Sequence, residues 1–579
     1  MRYLQRVVPM PVCAVSTESA LGNRTGTWRF SRPVFVDRVA PCNNQCPAGQ
    51  DVAGVMYLTA KGRFRDAWIR IIRENPFPAV TGRVCYRTCE HRCNRAEHDE
   101  AVSIRAVERF LGDYALEKGL EIGFSPPVDG GRAAVVGAGP AGLSAAYHLR
   151  LLGHEVSVFD FMNMPGGLMR YGIPEYRLPK EILEAEISRI EGLGAELEMN
   201  TRIGRDISWE KIKAEYDAVF LATGAQREAG LHLNNKPGFG MVTALEFLEQ
   251  VNSGARPELG ARVAVVGGGN SAVDCARVCR RLGADVEVVY RRSQAEMPAH
   301  PDEVLLAVEE GVRFRFLAFP KEALGDDRVT GLRVALTKLG EPDSSGRPQP
   351  EETGETVEIA CESIILAIGE SPEPADLPEE LLEAGQLKSS DEFGRIGPTK
   401  WFAGGDLAVK DRSVVHAVGS GKRAAIAMDA AMRNTVSPAL NGFRWGEGGN
   451  IFLGRLDDKS SFPRRSPLDQ VVSYEQINAF YFDFRPATPL PKLPAVDRLE
   501  GFSQEMLGLW EDEAIYEAQR CFNCGSCTEC GNCYIFCPEL SVKPDPCGYG
   551  YMVDLDYCKG CGICVQECPR AAMSLSFEE

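Results

Sequence analysis

Two runs near the C-terminus read Cys-x2-Cys-x2-Cys-x3-Cys-Pro. One is Cys527, Cys530, Cys533 and Cys537 before Pro538; the other is Cys558, Cys561, Cys564 and Cys568 before Pro569. Three thiolates at this spacing wrap one four-iron cubane, while the fourth reaches across to a second. The spacing therefore groups Cys527, Cys530 and Cys533 with Cys568, and Cys558, Cys561 and Cys564 with Cys537, around two [4Fe-4S] clusters. Zinc knuckles and disulfide scaffolds rarely carry four cysteines this dense before a proline, and have no need of the pattern twice. The segment is expected to pass single electrons.

This pattern resembles the bacterial 2[4Fe-4S] ferredoxin module and implies a small α+β domain over residues 513–579. It ends a chain of 579 residues, too long for one core. No apolar run approaches the ~20 residues of a membrane helix, and residues 1–19 lack a sustained apolar stretch of the secretory kind. Twenty cysteines in that setting point to metal sites in a reducing, cytoplasmic compartment rather than to disulfides. A net charge of −17 argues against nucleic acid and anionic membranes as partners. Residues 1–40 run the other way, with six arginines against Glu18 and Asp37, and read as a solvated arm, with docking to an acidic partner as the alternative.

The middle of the chain carries two glycine loops. Arg132 to Val136 reads as a strand leading into Gly137-Ala138-Gly139-Pro140-Ala141-Gly142 and a helical pattern through Leu151. Gly137 suits the tight turn, Gly139 the close approach of a pyrophosphate, and Gly142 close helix–strand packing, with the helix dipole facing the phosphates. The next strand, 155–159, ends at Asp160, placed to accept from ribose hydroxyls. A second copy runs from Val263 into Gly267-Gly268-Gly269-Asn270-Ser271-Ala272, and its following strand ends in Arg291 and Arg292 instead of an acid. An arginine there accommodates a 2′-phosphate. The first site therefore reads as FAD and the second as NADP(H), with NAD(H) open. Thr223-Gly224 and Ile368-Gly369, each after an apolar strand, look like crossings into and out of an NAD(P) domain inserted in the FAD domain. No redox CxxC sits beside either loop, and Cys275 and Cys279 read as core residues.

Further upstream stand Cys42-x3-Cys46-Pro47 and Cys85-x3-Cys89-x3-Cys93, flanking a helical pattern. Taken with the glycine loops, residues 172–179 (GIPEYRLP), Tyr290-Arg291-Arg292, Met297-Pro298-Ala299 and Gly404-Gly405-Asp406, this order closely resembles the small subunit of glutamate synthase. The same module occurs in the large subunit of the NADH-dependent ferredoxin:NADP oxidoreductase and in the N-terminal half of dihydropyrimidine dehydrogenase. The resemblance covers roughly residues 35–435. It implies an N-terminal helical Fe-S domain (1–124), a FAD domain (125–228 and 362–440), an NAD(P) domain (229–361), a linker or interaction segment (441–512) and the terminal ferredoxin domain. By the same resemblance Gly167, Leu168, Gly405 and Asp406 join the flavin site, while Glu175 and Arg177 position the nicotinamide and are the catalytic candidates.

One departure matters. The relatives usually carry two more cysteines shortly before Cys42, and Ser31 to Ala40 has none. Matching the family pattern gives Cys46, Cys85 and Cys89 to one cluster, with Glu108 as a possible fourth ligand. Cys42 and Cys93 are left over, to replace Glu108 or to stay free, so one N-terminal [4Fe-4S] cluster is expected. Cys521 and Cys524 read as spare thiols, with a further metal shared with a partner as the alternative; Cys547 reads as a non-ligand.

The combined expectation is an NAD(P)H:acceptor oxidoreductase subunit. It would exchange electrons among NAD(P)H, FAD and [4Fe-4S] clusters with a ferredoxin or a partner catalytic subunit in a hetero-oligomer. The alternatives are the small subunit of glutamate synthase itself and a non-catalytic wiring subunit.

Overall fold

The computed structural model describes residues 24–36, 38–122, 128–228, 231, 233–235, 237–343, 346–373, 377–388, 390–397, 400–434, 444–445, 450–451, 471–546 and 550–578. Most of the basic arm and Cys547 lie outside the described residues.

Two five-stranded parallel sheets organise the centre. The first has the order Trp401–Ala403, Ala218–Leu221, Arg132–Val136, Glu155–Phe159, Glu196–Glu198. The second runs Arg313–Arg315, Asp285–Val289, Arg262–Val266, Ser363–Leu366, Met241–Thr243. Every strand of the second sheet lies in sequence between Ala218–Leu221 and Trp401–Ala403, so the second domain is inserted in the first. The crossing segments themselves pair, Arg227–Glu228 antiparallel to Glu370–Ser371. Sheets covered on both faces need uninterrupted apolar strands; Ala133, Ala134 and Val135 are fully buried, as are Ala264 and Val265.

Each glycine loop is forced by the same contact. Gly137 has φ +112°, and a Cβ there would stand 2.3 Å from the Ala222 carbonyl oxygen. Gly267 has φ +149°, and its Cβ would stand 2.1 Å from the Ala367 carbonyl oxygen. In both domains the turn thus presses on the strand end that opens a crossing.

The N-terminal domain packs the helices Val52–Thr59, Phe64–Ile72, Pro78–Val84 and Ile104–Glu117. The last two cross so closely that a Cβ on Gly82 would meet Arg109 Cα at 2.4 Å. Beyond a small cluster of Trp68, Ile72 and Ala115, this domain shares its core with the first sheet: Val55, Phe77 and Leu111 belong to one buried cluster with Val135, Leu143 and Phe220. The long helix Val414–Met432 completes the joint, with Gly419 against the Pro47 carbonyl and Gly421 against the Ala141 carbonyl.

The C-terminal module carries the hairpin Val542–Pro544/Tyr551–Val553 and the short helices Asn532–Ile535 and Ile563–Gln566. Its last strand, Met573–Phe577, pairs antiparallel with Ser31–Phe35, so an N-terminal strand is built into the C-terminal module. The proline-marked stretch before it and the short helix Ala495–Leu499 that follows lie against the inserted domain: Lys492 donates to Glu309 at 2.8 Å, Arg498 to Glu310 at 3.0 Å, and Glu505 pairs with Arg277 and Arg281. No helix among the described residues is long and apolar enough to cross a membrane.

Candidate functional site

A cavity of about 1340 Å³ runs between the two sheets, at the C-terminal ends of their strands. Ordinary small-ligand pockets span roughly 300–1,000 Å³, so this one is sized for extended ligands. All the predicted dinucleotide residues line it except Gly142 and Ala272. Those two pack behind it: a Cβ on Gly142 would stand 1.8 Å from the Gly137 carbonyl oxygen, and Ala272 is fully buried.

The residues fit a dinucleotide. Gly139 and Gly269 have nothing within 4 Å of a built Cβ, leaving each helix start open. Asp160 accepts from the Ala138 N–H at 2.6 Å and the Met162 N–H at 2.9 Å, so one carboxylate fixes the glycine loop while lining the cavity. Burial pushes its pKa up against those two bonds. Gly167, at φ +51°, lies so near Gly139 that its Cβ would stand 2.8 Å from the Gly139 Cα. Gly405 donates to Ser420 Oγ at 2.8 Å and presents Asp406 to the cavity, where burial again raises the carboxyl.

Both arginines after the second loop line the cavity, but they differ in burial and partners. Arg292 is buried, with Nη2 donating to Asp343 at 3.0 Å and Nε to the Pro348 carbonyl at 2.7 Å. Arg291 lines the cavity as an exposed side chain, joined there by Arg347 from the hairpin opposite. No sequence motif marks Arg347; only the antiparallel pairing of Gly331–Pro342 with Pro348–Ala360 brings it in.

The catalytic candidates divide likewise. Arg177 lines the cavity, but its guanidinium is committed: Nη1 reaches both carboxylate oxygens of Asp274 at 2.9 and 2.7 Å, and Nε lies 3.4 Å from Glu303. It is a strut from the first domain to the helix Asn270–Arg281 of the inserted one. Glu175 does not line the cavity; its Oε1 accepts from the Lys180 N–H at 3.1 Å, at the start of the helix Lys180–Gly192.

Beside this cavity stand the N-terminal cysteines. Cys46, Cys85 and Cys89 are buried, and Cys46 and Cys85 both feel the charge of Glu108. Burial pushes Cys46 up to about 11 and Cys85 up to about 12. A pocket this hostile to bare thiolates suits thiolates that share their charge with a metal. Glu108 accepts from Gln50 at 2.9 Å, Asn75 at 3.0 Å and Thr81 at 2.7 Å, all at Oε1. Val84 and Tyr86, the neighbours of Cys85, line the dinucleotide cavity.

In the C-terminal module two hollows divide the eight cysteines. Cys527, Cys530, Cys533 and Cys568 line one; Cys537, Cys558, Cys561 and Cys564 line the other. Cys530 and Cys561 are the exposed members. Cys42 and Cys93 stand near Cys521 and Cys524: the Cys42 thiol would feel the charge of Cys521, Cys93 and Cys524, and the Cys524 thiol that of Cys521 and Cys93.

A molecule with two nested dinucleotide domains and cysteine-rich modules at both ends is an NAD(P)H-dependent iron–sulfur flavoprotein oxidoreductase. The chain belongs to the pyridine nucleotide-disulphide oxidoreductase family, whose model matches residues 131–423. Residues 36–120 match dihydropyrimidine dehydrogenase domain II, 4Fe-4S cluster, and residues 551–574 a 4Fe-4S binding domain. It is 34% identical to the NADP(+)-dependent formate dehydrogenase subunit beta of Moorella thermoacetica, over 84% of this chain and 70% of that one. It is 35% identical to the NADPH-Fe(3+) oxidoreductase subunit beta of Geobacter sulfurreducens, over 85% of this chain and 76% of that one. The resemblance to the glutamate synthase family holds: the small chain from Escherichia coli is 35% identical, over 67% of this chain and 89% of its own.

Proposed function

We propose that this chain is the NADPH-linked subunit of a larger redox complex, exchanging electrons with a partner catalytic subunit or a ferredoxin through its C-terminal module. The observation that carries this reading is the pair Val84 and Tyr86, which line the dinucleotide cavity while Cys85 between them belongs to the N-terminal cysteine group. Bound flavin would supply the switch from hydride exchange with nicotinamide to single-electron exchange with [4Fe-4S] clusters.

The chain's own residues supply position and charge. Gly137 to Gly142, Asp160 and Asp406 would hold FAD along the first sheet, and Gly267 to Ser271 the second nucleotide. Arg291 and Arg347 would receive a 2′-phosphate, and Arg177 braces the two domains by gripping Asp274. Cys46, Cys85, Cys89 and Glu108 would hold one cluster, and the two C-terminal hollows one each. The exposed Cys530 and Cys561, with the exposed apolar side chains Phe577, Leu575 and Ile563 nearby in the module, offer the surface where a partner would dock.

The ferredoxin-bearing tail favours this over the glutamate synthase small subunit. The formate dehydrogenase and Fe(3+) oxidoreductase subunits align over 84% and 85% of the chain, against 67% for the E. coli small chain. The test is anaerobic mixing of the holoprotein with NADPH. Flavin absorbance should bleach, and reduction of an added one-electron acceptor should follow; Cys533→Ala should spare the bleaching and slow the acceptor. A flavin that keeps its colour under excess NADPH and NADH would overturn the proposal.

A further inference from the structure

The four cysteines that sequence spacing left without a task meet in one place. Cys42 lies in the turn of helix Pro41–Gln45, Cys93 between two 3-10 turns, and Cys521 and Cys524 just past the helix Glu511–Gln519. Asn94, next to Cys93, places its amide nitrogen 3.5 Å from Cys524 Sγ. Asn523, between Cys521 and Cys524, donates to the Ala53 carbonyl at 2.9 Å, and the Ala53 N–H donates to Asn43, next to Cys42, at 3.0 Å. Arg95 donates to the Arg520 carbonyl at 3.1 Å, with its guanidinium 5.0 Å from the Phe522 ring. Bonds one or two residues from each cysteine therefore draw the two pairs together. The Cys42 thiol would feel the charge of Cys521, Cys93 and Cys524.

The backbone of the second pair is independent evidence. In Cys521-Phe522-Asn523-Cys524-Gly525, Asn523 and Gly525 have φ of +49° and +79°. In Cys527-Thr528-Glu529-Cys530-Gly531 the corresponding angles are +57° and +87°, and in Cys558-Lys559-Gly560-Cys561-Gly562 they are +70° and +78°. The three segments make the same double left-handed turn, which L side chains seldom adopt. The turn aims a backbone N–H at the leading sulfur: Asn523 N to Cys521 Sγ at 3.3 Å, and Gly560 N to Cys558 Sγ at 3.4 Å. Such N–H···S bonds support cluster thiolates and tune their potential. The turn that opens both ferredoxin runs is thus built a third time, facing Cys42 and Cys93.

We infer that Cys42, Cys93, Cys521 and Cys524 ligate a further [4Fe-4S] cluster at the joint between the N-terminal domain and the ferredoxin module. All four are free of disulfides and buried or partly buried, and as ligands their thiolates would need a cationic core among them. The turn that the second pair shares with both ferredoxin runs favours a four-iron core over mononuclear zinc. The pair 521/524 supplies from the far end of the chain the two ligands missing ahead of Cys42. The cluster lies beside the Cys46 group, since Cys89 feels the charge of Cys42, and three residues from Cys527. It would bridge the flavin-side cluster to the outlet.

Native mass spectrometry of the holoprotein, purified anaerobically, tests this. About sixteen iron and sixteen sulfide per chain are expected, four of each per cubane, against about twelve for three clusters. Cys521→Ala/Cys524→Ala should lose a quarter of the iron and one Mössbauer component, with FAD content and NADPH bleaching kept; Cys42→Ala should do the same. The wild-type count stands even if a variant does not fold. Twelve iron atoms in the wild type, a zinc ion at this site, or full iron in the double variant would overturn the inference. Loss of bleaching in the wild type would instead strike the proposed function and leave the iron count to speak for itself.

Discussion

Lys422 Nζ donates to Glu74 Oε2 at 2.8 Å, and both side chains are shut away from solvent. Lys422 also donates to the Ala48 carbonyl, two residues past Cys46. One ammonium on the flavin-domain helix therefore ties down both the cysteine loop and the helical domain. Removing one partner strands a buried charge, at about 3–5 kcal/mol, whereas replacing both with apolar groups is often close to neutral. Lys422→Met should lower the urea midpoint sharply and loosen the N-terminal iron, and Lys422→Met/Glu74→Leu should recover most of the midpoint. A single variant as stable as wild type would show that the pair does not hold this joint.

The contrast between Arg291 and Arg292 predicts different faults. Arg291 faces the cavity, so Arg291→Glu should raise the KM for NADPH by about 10–100-fold while leaving NADH nearly unchanged. That range follows from charge-assisted bonds of about 1.5–3 kcal/mol. Arg292 is bound to Asp343 and Pro348, so Arg292→Ala should lower stability more than it alters the choice of nucleotide. Steady-state kinetics with both nucleotides separates these outcomes; equal losses for NADPH and NADH in Arg291→Glu would refute the assignment.

Glu108 makes a prediction about iron rather than rate. If its carboxylate completes the cluster of Cys46, Cys85 and Cys89, Glu108→Ala leaves one iron with three sulfide bonds and no protein ligand. Brief air exposure should then remove about one iron per chain and produce a three-iron EPR signal absent from the wild type. Glu108→Cys should not show it. If the alanine variant keeps all its iron in air, the fourth ligand is another residue.

What could be read from sequence follows the range of the forces involved. Gly137 and Gly267 were legible because strand, turn and helix follow one another within a dozen residues, although the carbonyls that press on them, of Ala222 and Ala367, come from distant strand ends. The cysteines of the C-terminal runs were grouped by short spacing for the same reason. The meeting of Cys93 with Cys524 was not legible: it depends on the bond from Asn94 across 430 residues, and on Ser31–Phe35 pairing with the last strand. Arg347 enters the cavity only through the register of a long hairpin. Glu175 shares its motif with Arg177, yet its side chain turns to cap a helix, a local choice that motif matching does not resolve.

Glu186 makes a prediction about pH, from its place between the helices Lys180–Gly192 and Pro78–Val84. Its carboxyl is fully buried and accepts from the Ala79 N–H at 2.9 Å and the Val80 N–H at 3.0 Å, at the start of the helix that ends next to Cys85. Burial pushes its pKa up to about 7, against the opposing pull of Arg189 and the two N–H groups. In the unfolded chain it titrates in the usual carboxylate range, near 4.3. The folded state therefore holds a proton the unfolded state has lost throughout the interval between those values. Stability from this group is complete below the unfolded pKa and is lost as pH rises through about 7. The loss is on the order of 3 kcal/mol by pH 8. Glu186→Gln mimics the neutral acid, so its unfolding midpoint should match wild type near pH 5 and exceed it at pH 8. Urea melts across that range check the sign: a wild-type midpoint that climbs between pH 5 and 8, with the glutamine variant running parallel, would mean that Glu186 is ionised in the fold throughout.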